Sequence, residues 1–295
     1  MITRIVIVRR AMARIILISA LALALVACGG SARGGALPVV ASTNVYGDLV
    51  RQIGGRHVAV TSILSNPNAD PHLFEPGAAN GLAVARARVV VQNGLGYDAF
   101  MTKLEHATSS SKRRVLVVAD AIPHTSNPHL WYDIPRMPQV AAAIARELIA
   151  ADPAHARAYR AGQRRFAASV APVLAALHTL PVGAPVAYTE QVPGYLVQDA
   201  GLRNLAPESF TIQIEEGNEP SAGALSAMNA LLTGHKVRAL LYNEQAVSPI
   251  TSSLRKLAQR EGIAVVPVAE TLPAGLTYQR WQLRQIAALK RALAR

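Results

Sequence analysis

Two short loops of the sequence place a histidine directly after a proline. They are Asp70-Pro-His-Leu-Phe-Glu-Pro76 and Asn127-Pro-His-Leu-Trp-Tyr-Asp133. Proline fixes its own φ and restricts the residue before it, so each histidine is held on a stiff loop that suits metal ligation. A single Pro-His loop is more often a capped turn or a packed histidine. Because the motif occurs twice, we predict that His72 and His129 form a paired site.

Carboxylates can complete such a site. Glu190 follows a predicted strand at 184–189, and Glu270 lies just past another at 264–268. Ligands of open α/β sheets bind at the carboxyl ends of the strands, so both glutamates are expected to face one cleft. Two histidines and two carboxylates offer nitrogen and oxygen ligands for Zn2+, Mn2+ or Fe2+. Taken singly, each glutamate can also be interpreted as a solvated loop residue.

The cysteine content limits the other kinds of site. The single cysteine, Cys28, excludes an intrachain disulfide, an iron–sulfur cluster and a cysteine-based zinc knuckle. The acidic segment Glu215-Glu-Gly-Asn-Glu219 is interpreted as a solvated loop. Five further histidines have no partner motif and are expected in ordinary surface or core positions. They are His57, His106, His155, His178 and His235.

The elements that must position these residues alternate between short strands and helices. The chain has 295 residues, 51% of them hydrophobic, which is enough for two domain-sized cores. A long helical region at 138–177, bent near Asp152, separates two such alternating halves. Predicted strands lie at 37–43, 57–63, 87–92, 114–118, 184–189, 210–214, 239–242 and 264–268. The pattern predicts an α/β fold with mainly parallel sheets flanked by helices, in two lobes joined by a long helix.

The two halves also begin alike. Val39-Val-Ala-Ser-Thr43 and Val186-Ala-Tyr-Thr189 are each followed by a helical segment that ends in glycine. This similarity favours two similar lobes, although any two strand–helix units could resemble each other to this extent by chance. The cleft between the lobes is the expected ligand site.

The N-terminus has the features of a secretory signal. Residues 1–14 carry four arginines and no acid, and residues 15–27 are continuously apolar or small. An apolar run of about 13 residues is short for a spanning helix, which needs about 20, so a transmembrane anchor is the lesser alternative. Leu25-Val-Ala-Cys28 resembles the lipobox of bacterial lipoproteins. We therefore expect an extracytoplasmic mature protein that begins at Cys28 and is tethered to the membrane by acyl chains on that cysteine.

These features divide the chain into five parts and give it a basic character. The predicted boundaries are a signal peptide at 1–27, a tether at 28–36, an N-terminal lobe at 37–137, a connecting helical region at 138–181 and a C-terminal lobe at 182–295.

The formal charge of +12 falls to +8 without the four signal-peptide arginines. No interleaving of aromatic and basic residues accompanies this charge, so nearby anionic lipid, rather than nucleic acid, is its expected partner.

The ordered set of motifs resembles a known family. The two Pro-His loops, the segment Tyr188-Thr-Glu-Gln-Val-Pro-Gly-Tyr195 and the segment Glu270-Thr-Leu-Pro-Ala-Gly-Leu-Thr-Tyr278 together resemble the metal-binding substrate-binding proteins of ABC transporters, cluster A-I, the zinc/manganese-uptake family. The resemblance covers nearly the whole mature chain. It implies two α/β lobes joined by one rigid backbone helix. It also implies four metal ligands, which fall on His72, His129, Glu190 and Glu270.

The chain departs from the family pattern at several positions. Glu270 stands where the family usually has aspartate, and residues 120–127 hold only His124 where many zinc-specific members have a His-rich loop. The disulfide of many members cannot form with one cysteine. A glutamate at position 190 resembles the manganese-type pattern, but the Irving–Williams order places zinc above manganese at most such sites. The sequence therefore leaves the choice between zinc and manganese open.

The resemblance implies a binding protein and not an enzyme. Its expected role is to capture zinc or manganese outside the membrane and deliver it to an ABC permease for import, as a monomer. One alternative is a surface lipoprotein or adhesin with secondary metal binding. A less favoured alternative is a metal-dependent hydrolase, for which the sequence offers no His-Glu-x-x-His motif and no nucleophile elbow.

Overall fold

The computed structural model of the chain describes residues 35–66 and 74–294. The predicted signal peptide, the lipidation site Cys28 and the predicted ligand His72 lie outside the described residues. Among the helices within the described ranges, none is long and apolar enough to cross a membrane.

The N-terminal sheet is parallel, and its described strands follow the order β2-β1-β3-β4. The strands are β1 (Leu37–Thr43), β2 (Val58–Leu64), β3 (Val89–Gln92) and β4 (Arg114–Val117). The helices that connect them are α1 (Asn44–Gly54), α2 (Ala78–Arg86) and α3 (Ala99–Ala107). Parallel strands need such crossover connections, and the helices cover the faces of the sheet.

The C-terminal sheet repeats this plan. It is parallel in the order β6-β5-β7-β8, so in both sheets the second strand lies beside the first, and the first beside the third. Its strands are β5 (Pro185–Tyr188), β6 (Arg203–Asn204), β7 (Ala239–Asn243) and β8 (Ala264–Val268). Two parallel-sheet lobes with the same strand order confirm the predicted fold class.

The connecting helical region is a pair of helices. In chain order the helices from this region onward are α4 (Met137–Ala151), α5 (Ala156–Leu177), α6 (Gly194–Asp199), α7 (Glu208–Glu215), α8 (Ala222–Thr233), α9 (Pro249–Arg260) and α10 (Tyr278–Leu293). The first of them ends where Asp152 leaves helical geometry before Pro153, which has no N–H to continue the helix. Helix α5 packs against α4, against α1 of the N-terminal lobe and against α10 of the C-terminal lobe. It is therefore the long helix that joins the lobes.

The prediction of a strand at 210–214 is wrong, because this segment belongs to helix α7. Phe210, Ile212 and Ile214 alternate with polar residues, which is the pattern of a half-buried strand. The residues that are buried are Phe210, Thr211 and Ile214, and this spacing defines one face of a helix. Backbone N–H groups of Phe210 and Thr211 donate to the carbonyl of Pro207 and begin the helix.

The sheets share one core between the lobes. Val89 and Val91 of β3 point into this shared core, whereas Val90 between them packs into a separate cluster on the opposite face of its sheet. In the C-terminal lobe, Leu241 likewise lies in the shared core and Leu240 on the outer side. Both sheets are thus covered on two faces, which explains their nearly continuous apolar strands.

Two acidic side chains lie close together where the lobes meet. The pKa of Asp199 on α6 is raised to about 6, mainly by burial and also by the nearby carboxylate of Asp133, and Arg136 opposes this rise. An aspartate in the unfolded chain loses its proton near pH 4. Between these two values the folded chain therefore holds a proton that the unfolded chain has released, so this carboxyl favours folding in acid and opposes it above pH about 6.

Replacing Asp199 with asparagine should therefore stabilise the protein at neutral pH. We expect the free energy of unfolding at pH about 7.5 to rise by about 1 kcal/mol, a value reduced for screening by solvent at this partly exposed group. The gain should vanish below pH about 4, where aspartate is protonated in both states. Urea denaturation of metal-free protein at the two pH values measures it, with the exposed Asp120→Asn as control. An equal gain at both pH values would contradict this account.

Candidate metal centre

Three of the four predicted ligands lie within the described residues, and all three are buried. The exposed fractions are 0% for His129, 1% for Glu190 and 0% for Glu270. His129 directly precedes a short 3-10 helix at Leu130–Tyr132, and each glutamate lies two residues past the end of its strand. Buried carboxylates are costly unless other groups compensate their charge, so their surroundings decide what they can do.

The structure brings these three side chains together between the lobes. Nε2 of His129 lies 3.5 Å from Oε2 of Glu270. The side-chain amide of Asn243 donates one hydrogen bond to Oε2 of Glu190 and a second, of 2.8 Å, to Oε1 of Glu270. Within residues 35–66 and 74–294, no group of three or more His, Cys, Asp or Glu side chains could hold a metal ion. The three predicted ligands therefore meet here without forming a complete metal shell by themselves.

Hydrogen bonds fix the orientation of the His129 ring. Oδ1 of Asn127 accepts from the backbone N–H of His129 at 3.0 Å and lies 2.8 Å from its Nδ1. The amide nitrogen of Asn127 donates to the carbonyl of Gln191 at 2.9 Å, which identifies Oδ1 as the acceptor. The proton of His129 therefore lies on Nδ1, and Nε2 presents its lone pair on the side of Glu270. A Cβ atom at Gly194 would lie 2.6 Å from this amide, so glycine is required for the arrangement.

Residues just after strand β3 hold the loop that carries His129 in place. Nδ2 of Asn93 donates to the carbonyl of Pro128 at 2.8 Å, and its Oδ1 accepts from the hydroxyl of Tyr46. The Asp98 carboxylate accepts from the backbone N–H groups of Asn93 and Gly94. Burial raises the pKa of Asp98, and these hydrogen bonds oppose that rise. The stiffness predicted from Pro128 is thus reinforced by contacts with the sheet.

Aromatic rings enclose His129. Its ring centroid lies 5.4 Å from that of Trp131 and 5.8 Å from that of Tyr97, in edge-to-face geometry. Burial raises the pKa of the Tyr97 hydroxyl well above its ordinary value, and the charge of Glu270 and a hydrogen bond with it add to the rise. Tyr97 therefore stays protonated at physiological pH, and its hydroxyl can donate to the Glu270 carboxylate.

The loop that carries Glu270 is held by a glutamine. Oε1 of Gln245 accepts from the backbone N–H groups of Glu270 and Thr271, and its Nε2 donates to the Thr271 hydroxyl at 2.8 Å. Asn243 is the last residue of the buried strand β7, and Gln245 lies two residues beyond it, within Tyr242-Asn-Glu-Gln245. Neither residue was predicted from the sequence. The signal was available, because polar residues at the carboxyl end of a buried parallel strand often line a site.

The same loop is also bonded to the N-terminal lobe. The hydroxyl of Tyr132 donates to the carbonyl of Ala269 at 2.7 Å. The Asn44 side chain pairs with the backbone of Leu272, donating to its carbonyl and accepting from its N–H, each at 2.8 Å. Glu270 belongs to the C-terminal lobe in sequence, but contacts from both lobes fix its position.

Two other predictions have a mixed outcome. In the acidic segment, Glu216 and Glu219 are exposed, whereas Glu215 is partly buried and accepts from the backbone N–H of Gln191 at 3.3 Å. Of the remaining histidines, His57 and His155 stack with ring centroids 4.0 Å apart, a pairing that the sequence did not indicate. Neither feature belongs to the predicted ligand set.

The fold and the buried cluster define a two-lobed binding protein with a polar site between its lobes. Residues 39–292 match the family described as zinc-uptake complex component A, periplasmic (ZnuA), and the chain belongs to this family.

Comparison with individual proteins agrees with this assignment. A protein of Treponema pallidum (strain Nichols), named as a candidate metal-binding protein, is 26% identical over 88% of each chain. The manganese-binding lipoprotein MntA of Bacillus subtilis is 31% identical over 48% of this chain and 51% of its own length. The solved structure of the periplasmic zinc-binding protein TroA from Treponema pallidum superposes with a TM-score of 0.75 at 21% identity, covering 88% of this chain and all of that one. At this identity the structural match shows the fold alone.

Proposed function

We propose that the protein captures a divalent transition metal, zinc or manganese, outside the cytoplasm and delivers it to an ABC permease for import. The observation that carries the proposal is the convergence of His129 from one lobe and Glu190 and Glu270 from the other in a buried site. Family membership supports a binding component of an uptake complex rather than the hydrolase alternative.

The proposed ligands are His72, His129, Glu190 and Glu270. Two carboxylates offset the double positive charge of the metal, and the protonated Nδ1 of His129 leaves Nε2 as the donor. Imidazole and carboxylate together suit both zinc and manganese, and relatives named for each metal belong to the same set of matches. Ligands bind metal only when deprotonated, so acid is expected to release it.

Capture requires a movement that exposes the buried ligands. We propose that this movement is local, because α5 contacts helices of both lobes and the lobes share one core. The bonds from Tyr132 and Asn44 to the 269–272 segment further restrain rotation of one lobe against the other. A small rearrangement of loops at the cleft is then the conformational change on binding.

The proposal extends to the location and organisation of the protein. Lipidation of Cys28 would anchor the mature chain to the membrane, and relatives named as lipoproteins of ABC transporters support this. The five-part division at 1–27, 28–36, 37–137, 138–181 and 182–295 and the monomeric state belong to the same proposal. The partners are then a metal ion, a permease and the membrane surface.

Elemental analysis of stripped, tag-free mature protein tests the site. After exposure to equal, limiting zinc and manganese, the protein should retain about one equivalent of metal, and a His72→Ala/His129→Ala variant should retain none. His124→Ala/His178→Ala is the matched control, because it removes two histidines outside the proposed ligand set. Undiminished metal in the first variant would refute the ligand assignment, and the metal retained identifies the preference.

A further inference from the structure

A row of exposed cations follows the amino edge of the N-terminal sheet. Arg56 lies two residues before β2, Arg88 directly before β3 and Lys112 two residues before β4, and all three are exposed. The backbone N–H of Arg88 donates to the carbonyl of Pro38 in β1, and its carbonyl accepts from the N–H of Arg114 in β4, each at 2.9 Å. Adjacent strands are about 4.8 Å apart, so the row is about 15 Å long.

The row keeps its positive charge. Within the part of the chain that the structure describes, none of the three cations makes a side-chain hydrogen bond or an ion pair. Two carboxylates at the same end of the lobe already have other partners. Glu147 pairs with Arg114 at 2.7 Å, and Asp152 pairs with His155 at 2.6 Å. His155 in turn stacks on His57, the residue just before β2.

The exposed acids of this lobe lie toward its other edge. In residues 35–66 and 74–137 they are Glu75 and Asp120. Asp120 follows the carboxyl end of β4, and Glu75 precedes α2, the helix that returns the chain from the carboxyl edge to the start of β3. The lobe is therefore positive at its amino edge, and its exposed negative charge lies nearer the carboxyl edge, where the candidate metal centre is.

The chain enters the lobe at the same positive edge. The register pairs Leu37, the first residue of β1, with Val58 of β2, so the residues just before β1 lie beside Arg56. Residues 28–36 can span at most about 30 Å when fully extended. Acyl chains on Cys28 would therefore keep this edge of the lobe within about 30 Å of the bilayer.

Apolar side chains lie beside the cations. Leu82 on α2 is 53% exposed, and Val115, next to Arg114 on the edge strand β4, is 40% exposed. Leu82 lines a groove together with Pro38 and Arg86, at the start of β1 and the end of α2. Cations with neighbouring apolar groups suit a membrane interface, where charge meets the headgroups and apolar groups reach the acyl chains.

We propose that this amino edge binds the headgroups of anionic phospholipids and holds the N-terminal lobe against the membrane surface. The inference rests on the proposed location of the protein, outside the cytoplasm on a lipid anchor. A basic surface strengthens attachment by acyl chains, because each cation near an anionic bilayer adds to the attraction. The candidate metal centre lies at the carboxyl edge of the sheet, so contact with lipid at the amino edge leaves it uncovered.

Co-sedimentation of the unlipidated mature protein with vesicles tests this surface. The vesicles contain phosphatidylcholine with phosphatidylglycerol, or phosphatidylcholine alone. We expect binding to the anionic vesicles only, and we expect added salt to weaken it. Each cation near an anionic surface contributes a factor of about five, so Arg56→Gln/Arg88→Gln/Lys112→Gln should bind at least about tenfold more weakly than the wild type. Equal binding to both kinds of vesicle would overturn the inference.

A matched variant separates this surface from the net charge of the protein. Lys256→Gln/Arg260→Gln/Arg280→Gln removes the same charge from three exposed positions of the C-terminal lobe. We expect it to bind the anionic vesicles within about a factor of two of the wild type, because charges beyond a Debye length are largely screened. An equal loss in both variants would indicate attraction by net charge and would overturn the proposed surface.

This inference and the proposed function can fail separately. Wild-type protein that retains its metal but does not bind anionic vesicles would overturn the inference and leave metal capture intact. Protein that binds the vesicles through Arg56, Arg88 and Lys112 but retains no metal would support the inference and refute metal capture.

Discussion

Replacing Glu270 with glutamine is expected to lower the affinity of the protein for zinc about a hundredfold. Structural zinc sites bind with about 10–16 kcal/mol, so the loss of one charged ligand in four costs about 3 kcal/mol. Glutamine keeps an oxygen that can accept from Asn243, and the backbone bond to Gln245 is unaffected. The variant should therefore fold, with its defect confined to metal binding.

Titration of stripped protein against a chelating dye measures this change. The matched control is Glu244→Gln, which removes an exposed carboxylate beside Asn243 and so lowers the nearby negative charge by the same amount. We expect the control to bind zinc within about a factor of two of the wild type, because an exposed charge is screened by solvent. An equal loss in both variants would indicate general attraction of cations and would remove Glu270 from the ligand set.

Replacing Gly162 with alanine is expected to lower the free energy of unfolding by about 2–3 kcal/mol. Gly162 lies inside α5, where alanine normally favours the helix by up to about 1 kcal/mol. A Cβ atom there would lie 2.1 Å from the carbonyl oxygen of Ile53, at the end of α1. Because the obstacle is backbone, relief requires the two helices to separate, and overpacking outweighs the gain in helix propensity.

Urea denaturation of metal-free protein, followed by circular dichroism, measures the effect. Gly81→Ala provides the control, because this glycine also lies within a helix and its nearest obstacle is a side-chain atom of Leu104 at 4.0 Å. The control should be as stable as the wild type or more stable by up to about 1 kcal/mol. A Gly162→Ala variant as stable as the wild type would show that α5 and α1 are not in close contact.

Much of the fold could be predicted because the relevant sequence signals are local. Buried parallel strands are short apolar runs such as 89–92 and 239–243, and the helices between them carry apolar residues at helical spacing. The segment 210–214 was predicted wrongly, because three apolar residues at alternate positions suit a strand. Its helical state depends on burial against α8 and β7, which no local pattern encodes.

In the candidate site too, some residues could be predicted from local sequence and others could not. His129 could be predicted from its proline and Glu190 and Glu270 from their place after strands, because each depends on neighbours in the chain. Asn243 and Gln245 act through residues 25–53 positions away in sequence, so their role requires the strand order of the sheet. The metal-ligand roles of His72, His129, Glu190 and Glu270 and the lipidation of Cys28 all remain predictions, and His72 and Cys28 lie outside the described residues.

The shared core has a thermodynamic consequence for the two lobes. Side chains from both lobes and from α5, among them Val91, Phe166 and Leu241, pack in the same cluster. Neither sheet can expose its inner face without exposing that of the other, so the lobes should melt together in one cooperative transition. A metal bound between the lobes would then raise the free energy of unfolding of the whole described fold by mass action. Loss of the metal would lower the stability of residues far from the cleft as much as that of residues beside it.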